Sequence, residues 1–163
     1  MAKMMSACGV LCSDCAAFGG GTKGIEYQKR TVAAWRRVYG MRELPERIAC
    51  TGCLGPDEKV FHTSLRCKAR NCCRAKGFAS CAACAEAGSC ALLEKAQAVW
   101  DIVPKIAEKL SPADLKAYAK PYLGHRRRLA KARAAKPSAK KGGSGGVNPG
   151  SSVPRLSSPE KPS

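Results

Sequence analysis

Eleven cysteines stand in a chain of 163 residues, against two histidines, His62 and His125. The cysteines fall into four groups. Cys8, Cys12 and Cys15 are spaced C-x3-C-x2-C, and Cys50 and Cys53 make a C-x2-C loop. Cys67 and Cys72 follow, with Cys73 directly after. Cys81 and Cys84 repeat the C-x2-C spacing, and Cys90 comes next. A C-x2-C turn lets two sulfurs reach one ion while the turn's own N–H groups hydrogen-bond to the thiolates. A tetrahedral zinc site takes four ligands at about 2.3 Å for zinc–sulfur, usually delivered as two short-spaced pairs. Histidine is scarce, so any metal site here is mostly or wholly thiolate. Thiolates suit zinc, iron–sulfur clusters or cuprous copper rather than magnesium or calcium.

Two competing uses of cysteine fit less well. A secreted disulfide framework would leave one thiol unpaired, and Met1-Ala2-Lys3-Met4-Met5-Ser6 reaches a cysteine before any long apolar segment forms. The expected location is therefore the reducing cytoplasm, where thiols stay free for metal or redox work. Nor does any run approach the ~18 apolar residues of a membrane span. Ordinary core cysteines sit among apolar neighbours. Here Lys68, Arg70, Asn71 and Arg74 surround the third group, and Ser13 and Asp14 lie inside the first.

Catalytic patterns are thin. C-x3-C-x2-C is the spacing by which radical S-adenosylmethionine enzymes hold a [4Fe–4S] cluster on three thiolates. Their barrel needs ~200 residues or more, beyond what this chain can order. A cluster completed by a fourth cysteine remains an alternative to zinc. Gly19-Gly20-Gly21-Thr22-Lys23-Gly24 lacks the spacing of a phosphate loop and reads as a turn. Two histidines outside any motif support no Ser-His-Asp set. Cys72-Cys73, flanked by Arg70 and Arg74, has the setting of a reactive thiol pair, although a ligand beside a bystander is the plainer reading. An enzyme activity on a small molecule ranks third, after a binding module and a redox protein.

The elements that must position these thiols are mainly helical. Residues 25–39 place Ile25, Val32, Trp35 and Tyr39 on one stripe, with Gly40 as the C-cap. Residues 41–92 show no period and hold most of the cysteines, so they need staples, which bound metal would supply. Residues 92–110 read as a helix with Leu92, Ala96, Val99, Val103, Ile106 and Leu110 inward and a kink or break at Pro104. Ser111-Pro112-Ala113-Asp114 is a helix start, with serine as N-cap and proline in the first turn. That last helix runs through Leu115, Tyr118 and Leu123, is disturbed by Pro121, and fades near Ala135.

The net charge of +17 is uneven. Residues 1–123 carry 19 Lys/Arg against 11 Asp/Glu, whereas residues 124–163 carry 10 against Glu160 alone. Arg126, Arg127, Arg128, Lys131 and Arg133 begin a basic cluster able to neutralise phosphates, which makes nucleic acid a candidate partner. A solvated tail explains the same charge. From Lys136 onward the chain is Pro, Ser, Gly and Lys, and is expected to be disordered.

The order CGVLCSDC, W-x3-YG, C-x-GC, CKARNC and C-x2-C-x5-C resembles a cysteine-rich prokaryotic family, domain of unknown function 3795, over roughly residues 7–95. The resemblance implies a metal-binding cysteine framework and no established reaction. Its pattern usually has a small apolar residue after Cys72, so Cys73 counts as an addition. That leaves Cys8, Cys12, Cys15, Cys50, Cys53, Cys67, Cys72, Cys81, Cys84 and Cys90 as ligands. Some relatives carry a further cysteine where Ser64 stands here. His62 is a conceivable substitute, though a surface histidine is the blander reading.

The sequence thus predicts a small, mainly α protein with irregular, metal-stabilised cysteine loops and a disordered basic tail. Residues 1–95 form the cysteine-rich domain, 96–135 a helical extension and 136–163 the tail. Zinc is favoured by the C-x2-C pairs, and a [4Fe–4S] cluster with a redox role is the alternative. The expected grouping joins Cys8, Cys12 and Cys15 with one distant thiolate, and Cys50 and Cys53 with two of the later cysteines.

Overall fold

The computed structural model describes residues 3–135, so the expected disordered tail from Lys136 onward lies outside the described residues. Six helices carry the chain: α1 Ile25–Tyr39, α2 Lys68–Ala75, α3 Ala91–Ala98, α4 Val103–Ala107, α5 Pro112–Asp114 and α6 His125–Ala134. Between them run short single-turn helical segments. No strand forms among the described residues, only the isolated bridges Met5–Leu11 and Phe18–Cys50. No described helix is long and apolar enough to cross a membrane.

Helix α1 keeps the expected limits, and Gly40 closes it with φ +66°. Its inward face is shifted from the expected stripe. Gln28, Thr31, Ala34 and Trp35 are buried, while Ile25 is exposed. Gln28 faces inward because the preceding glycine turn brings backbone carbonyls to it. Its Nε2 donates to Gly20 O at 3.4 Å and to Ile48 O at 3.3 Å. Trp35 sits with Ala16, Ala17 and Ile48 in a small core, with the Phe61 ring edge-on at 5.4 Å.

The aperiodic stretch contains one helix, α2, whose buried face is Ala69, Arg70 and Cys73. Farther on, Pro104 breaks rather than kinks the expected helix and stands in the first turn of α4. A proline ring clashes with the preceding turn but suits a helix start. Val99 therefore falls at the break and is exposed, against expectation, whereas Val103 is buried. The Ser111 cap forms as expected, its Oγ accepting from Asp114 N at 3.1 Å. Beyond α5 the coil widens to a π-turn over Leu115–Ala119 before the chain reverses into α6.

The main core mixes both halves of the chain. Ala7, Cys8, Val10, Ala69, Cys73 and Cys81 pack with Leu93, Val103, Tyr122 and Leu129. Tyr122 is overlain by Trp100 at 4.4 Å between ring centroids. Backbone and side-chain bonds add to this. Leu11 N donates to Pro121 O at 3.0 Å, Gln97 Nε2 to Cys8 O at 3.0 Å and Arg128 Nε to Gly9 O at 3.0 Å. The helical extension is thus the lid of the first cysteine loop.

Candidate metal centre

All eleven cysteines are free thiols. The first group forms where two C-x2-C turns meet. Cys12 opens a short helical turn, and Cys53 ends the Cys50 loop 41 residues later, yet Cys53 N donates to Cys12 Sγ at 3.4 Å. Within the loop, Gly52 N donates to Cys50 Sγ at 3.4 Å. The loop needs Gly52 at φ +105°, a backbone region that side-chain-bearing residues rarely adopt. Gly19 N bonds to Cys50 O at 2.9 Å and so ties this loop beside the Cys15 segment.

Burial is the first cause of raised thiol pKa values here. It pushes Cys12 up to about 12, and the neighbouring Cys53, Cys15 and Cys50 thiols add to the rise. Cys53 is pushed up to about 11, again by burial first, with Cys8 and Cys67 beside it. Cys15 is raised by burial and, less strongly, by Cys50. Opposing these shifts, the Ala17 and Phe18 backbone groups hydrogen-bond to Cys15, and those of Val10 and Ala7 to Cys8 and Cys53. Such N–H donors favour a thiolate, while burial disfavours one without a cation. Around these sulfurs the polar groups are backbone donors, and Asp14 is turned away to Lys3 at 3.2 Å.

The thiol neighbourhoods cut across the expected grouping and keep one part of it. Cys12 neighbours Cys15, Cys50 and Cys53, while Cys53 also neighbours Cys8 and the later thiol Cys67. Cys8, whose Sγ lies 3.4 Å from Ser6 Oγ, also neighbours Cys67 and Cys81. The later thiols Cys72, Cys73, Cys81, Cys84 and Cys90 line one small cavity. Cys73 lies within it, 2% exposed, with its Sγ 3.4 Å from that of Cys81. Among the described residues, no three His, Cys, Asp or Glu side chains stand in metal-holding geometry, so the thiols are neighbours rather than closed cages. His62 faces Glu43 at 3.3 Å and is half-exposed.

Two residues outside the candidate ligands hold the first group in place. Arg70 is 1% exposed. Its Nε donates to Cys53 O at 2.5 Å, and its Nη2 to Gly55 O at 2.9 Å and Asp57 Oδ1 at 2.6 Å. A cation reading the carbonyls of the cysteine loop fixes the loop on α2 and lowers the cost of negative charge at Cys53. Arg70 falls in the CKARNC segment, which was the available signal. Tyr122, from the extension, places its hydroxyl 3.2 Å from Cys15 Sγ. Nothing in the sequence tied residues 107 positions apart.

Most of the basic cluster on α6 serves the fold. Arg126 clasps two carboxylates, donating twice to Glu94 at 2.7 Å each and twice to Asp101 at 3.0 and 2.7 Å. Arg128 donates to the carbonyls of Gly9, Leu123 and Pro121, and Arg133 to Ala85 O at 2.9 Å. Arg127 and Lys131 have no such partner among the described residues.

The fold and its thiol groups define a small helical cysteine-rich protein. The family model described as "Protein of unknown function (DUF3795)" matches residues 4–95, and the chain belongs to that family. No match was found among curated proteins or solved structures.

Proposed function

We propose that this chain is a thiolate metal-binding protein. Its first centre is formed by Cys12, Cys15, Cys50 and Cys53, and zinc is the ion this donor set fits. The observation that carries the reading is the meeting of two C-x2-C turns, with Cys53 N bonded to Cys12 Sγ at 3.4 Å. Two short-spaced thiol pairs from distant segments are how four-sulfur zinc sites are commonly supplied. Gathering buried Cys12 with half-buried Cys15, Cys50 and Cys53 is useful to a protein that binds a cation there. Bound metal would also fold loops whose sequence has little apolar area to bury, because binding free energy becomes folding free energy.

The deciding experiment is elemental analysis with an absorption spectrum on anaerobically purified full-length protein. Zinc bound at whole-number stoichiometry and a colourless sample support the reading. Iron with acid-labile sulfide and a brown spectrum would replace it by the redox reading, with a cluster on the same thiolates. Metal-free protein with eleven titratable thiols would overturn both.

A further inference from the structure

We propose a second, separate metal centre at the C-terminal thiols, where Cys73, Cys81, Cys84 and Cys90 hold one zinc-type ion. This rests on the reading of the chain as a thiolate metal-binding protein and adds a site, a ligand and a stoichiometry to it.

The cavity between α2 and the Cys81–Cys90 segment has a volume of about 20 Å³. Five cysteines line it, and apart from Lys76 the remaining lining side chains are apolar. A cation entering it finds sulfur as its ligand. The space is that of one water-sized occupant. It matches a single ion.

Cys73 is the ligand that α2 supplies. The helix turns Ala69, Arg70 and Cys73 inward, one turn apart or adjacent, and Cys72 sits on the shoulder of that face, half-exposed. The Cys73 and Cys81 sulfurs are 3.4 Å apart. Two sulfurs on one tetrahedral zinc at 2.3 Å stand ~3.8 Å apart, whereas a disulfide brings them to about 2.05 Å. The pair is therefore spaced as an edge of a tetrahedron that opens slightly around an ion. Cys72, Cys84 and Cys67 neighbour Cys73, and Cys8 and Cys90 neighbour Cys81; Cys84 and Cys90 both line the cavity and are assigned as the other two corners. The four thiols span only residues 73–90, so this centre is local, in contrast to the first, which joins distant segments. Loading it exchanges four S–H protons for four zinc–sulfur bonds, with no change of oxidation state.

The test is native mass spectrometry of the zinc-loaded full-length protein under reducing conditions, with cysteine alkylation mapped on the same samples. Wild type is expected to carry two zinc ions, and Cys72→Ser also two. Cys73→Ser and Cys84→Ser are expected to carry one each, with Cys12 and Cys53 still protected from alkylation. Cys12→Ser is expected to lose the other ion and keep Cys81 and Cys84 protected. Should Cys73→Ser fail to fold, the half-buried Cys84→Ser and the wild-type alkylation map decide. One zinc in wild type with Cys81 and Cys84 freely alkylated would overturn the second centre and leave the first. Loss of an ion in Cys72→Ser but not in Cys73→Ser would overturn the ligand assignment. Iron and sulfide retained at Cys81 and Cys84 would overturn the single-ion centre. No bound metal at all would overturn both centres.

Discussion

At the scale of single residues, the proposed first centre turns on Cys12, whose sulfur accepts from the Cys53 N–H of the distant loop at 3.4 Å. Spacing alone identified the C-x2-C pairs, because two sulfurs three positions apart can share an ion whatever the surrounding fold. Spacing could not tell which pairs meet, since that depends on Gly19 and Cys53 backbone bonds made across the chain. Cys73 was set aside because the family pattern puts a small apolar residue there. Burial shows the same position turned inward, which suits an apolar residue and an inward thiol equally. For the first centre, Cys12→Ser should remove bound metal and lower the melting temperature. Unchanged metal and unchanged melting would remove Cys12 from the ligand set.

Arg70 makes a second residue-scale case. A buried guanidinium satisfied by two carbonyls and one exposed carboxylate leaves those carbonyls without donors when it is deleted. Leaving a buried acceptor without its donor costs about 1–3 kcal/mol. Arg70→Met should therefore destabilise the chain by roughly that amount, read by denaturant unfolding. Arg70→Lys should recover little, because an ammonium cannot reproduce the planar fork. Loss within the range of an ordinary surface substitution would show that the loop holds without it.

At the scale of elements, the helices with a capping residue and a strong aromatic anchor were readable. The short ones were not. Helix α1 was bounded correctly because Gly40 stops it and Trp35 anchors it, yet its inward face was misjudged. Gln28 is buried only because carbonyls from Gly20 and Ile48 receive it, a tertiary fact with no local signal. Helix α2 spans eight residues, too few for a period to emerge once its cysteines are counted as ligands. The joint between α6 and the first cysteine loop is equally specific. Gly9 has φ +103°, and a Cβ there would run into the His125 carbonyl oxygen. Gly9→Ala should thus cost about 2 kcal/mol from backbone strain and loosen α6, visible as faster amide exchange in both segments. Full stability in this variant would mean the loop and helix do not pack as described.

The same helix is tethered to α3 by Arg126, which holds the Glu94 and Asp101 carboxyls below their usual range through charge-assisted hydrogen bonds. Carboxylates with depressed folded pKa values contribute stability above their unfolded values, and it is lost as pH falls through the folded ones. Both groups are exposed, so the contribution is modest and screened by salt. Arg126→Ala should melt slightly below wild type at neutral pH. The gap should close on acidification below the carboxylate range and shrink in high salt. A gap that persists in acid would trace the effect to packing of the Arg126 stem instead.

At the scale of the whole molecule, the core runs across residue 95. Residues 4–95 carry the cysteine framework, and Tyr122, Leu129 and Val103 complete its core. A chain cut after Leu93-Glu94-Lys95 would expose Cys8, Val10 and Ala82 and leave Cys15 without the Tyr122 hydroxyl. A chain cut after Ala135 keeps every described contact. The two truncations should therefore diverge. The longer should match full-length protein in melting temperature and metal content, and the shorter should be unfolded or aggregated unless metal is in excess. The longer form also tests nucleic acid as a partner. Arg126, Arg128 and Arg133 are engaged in the fold, so phosphate contacts would fall to Arg127, Lys131 and the basic residues after 135. Removing the basic residues after Ala135 should weaken RNA or DNA binding at low salt and flatten its dependence on salt, because fewer counterions are released. Equal, salt-insensitive binding by full-length and truncated protein would exclude that role for the tail.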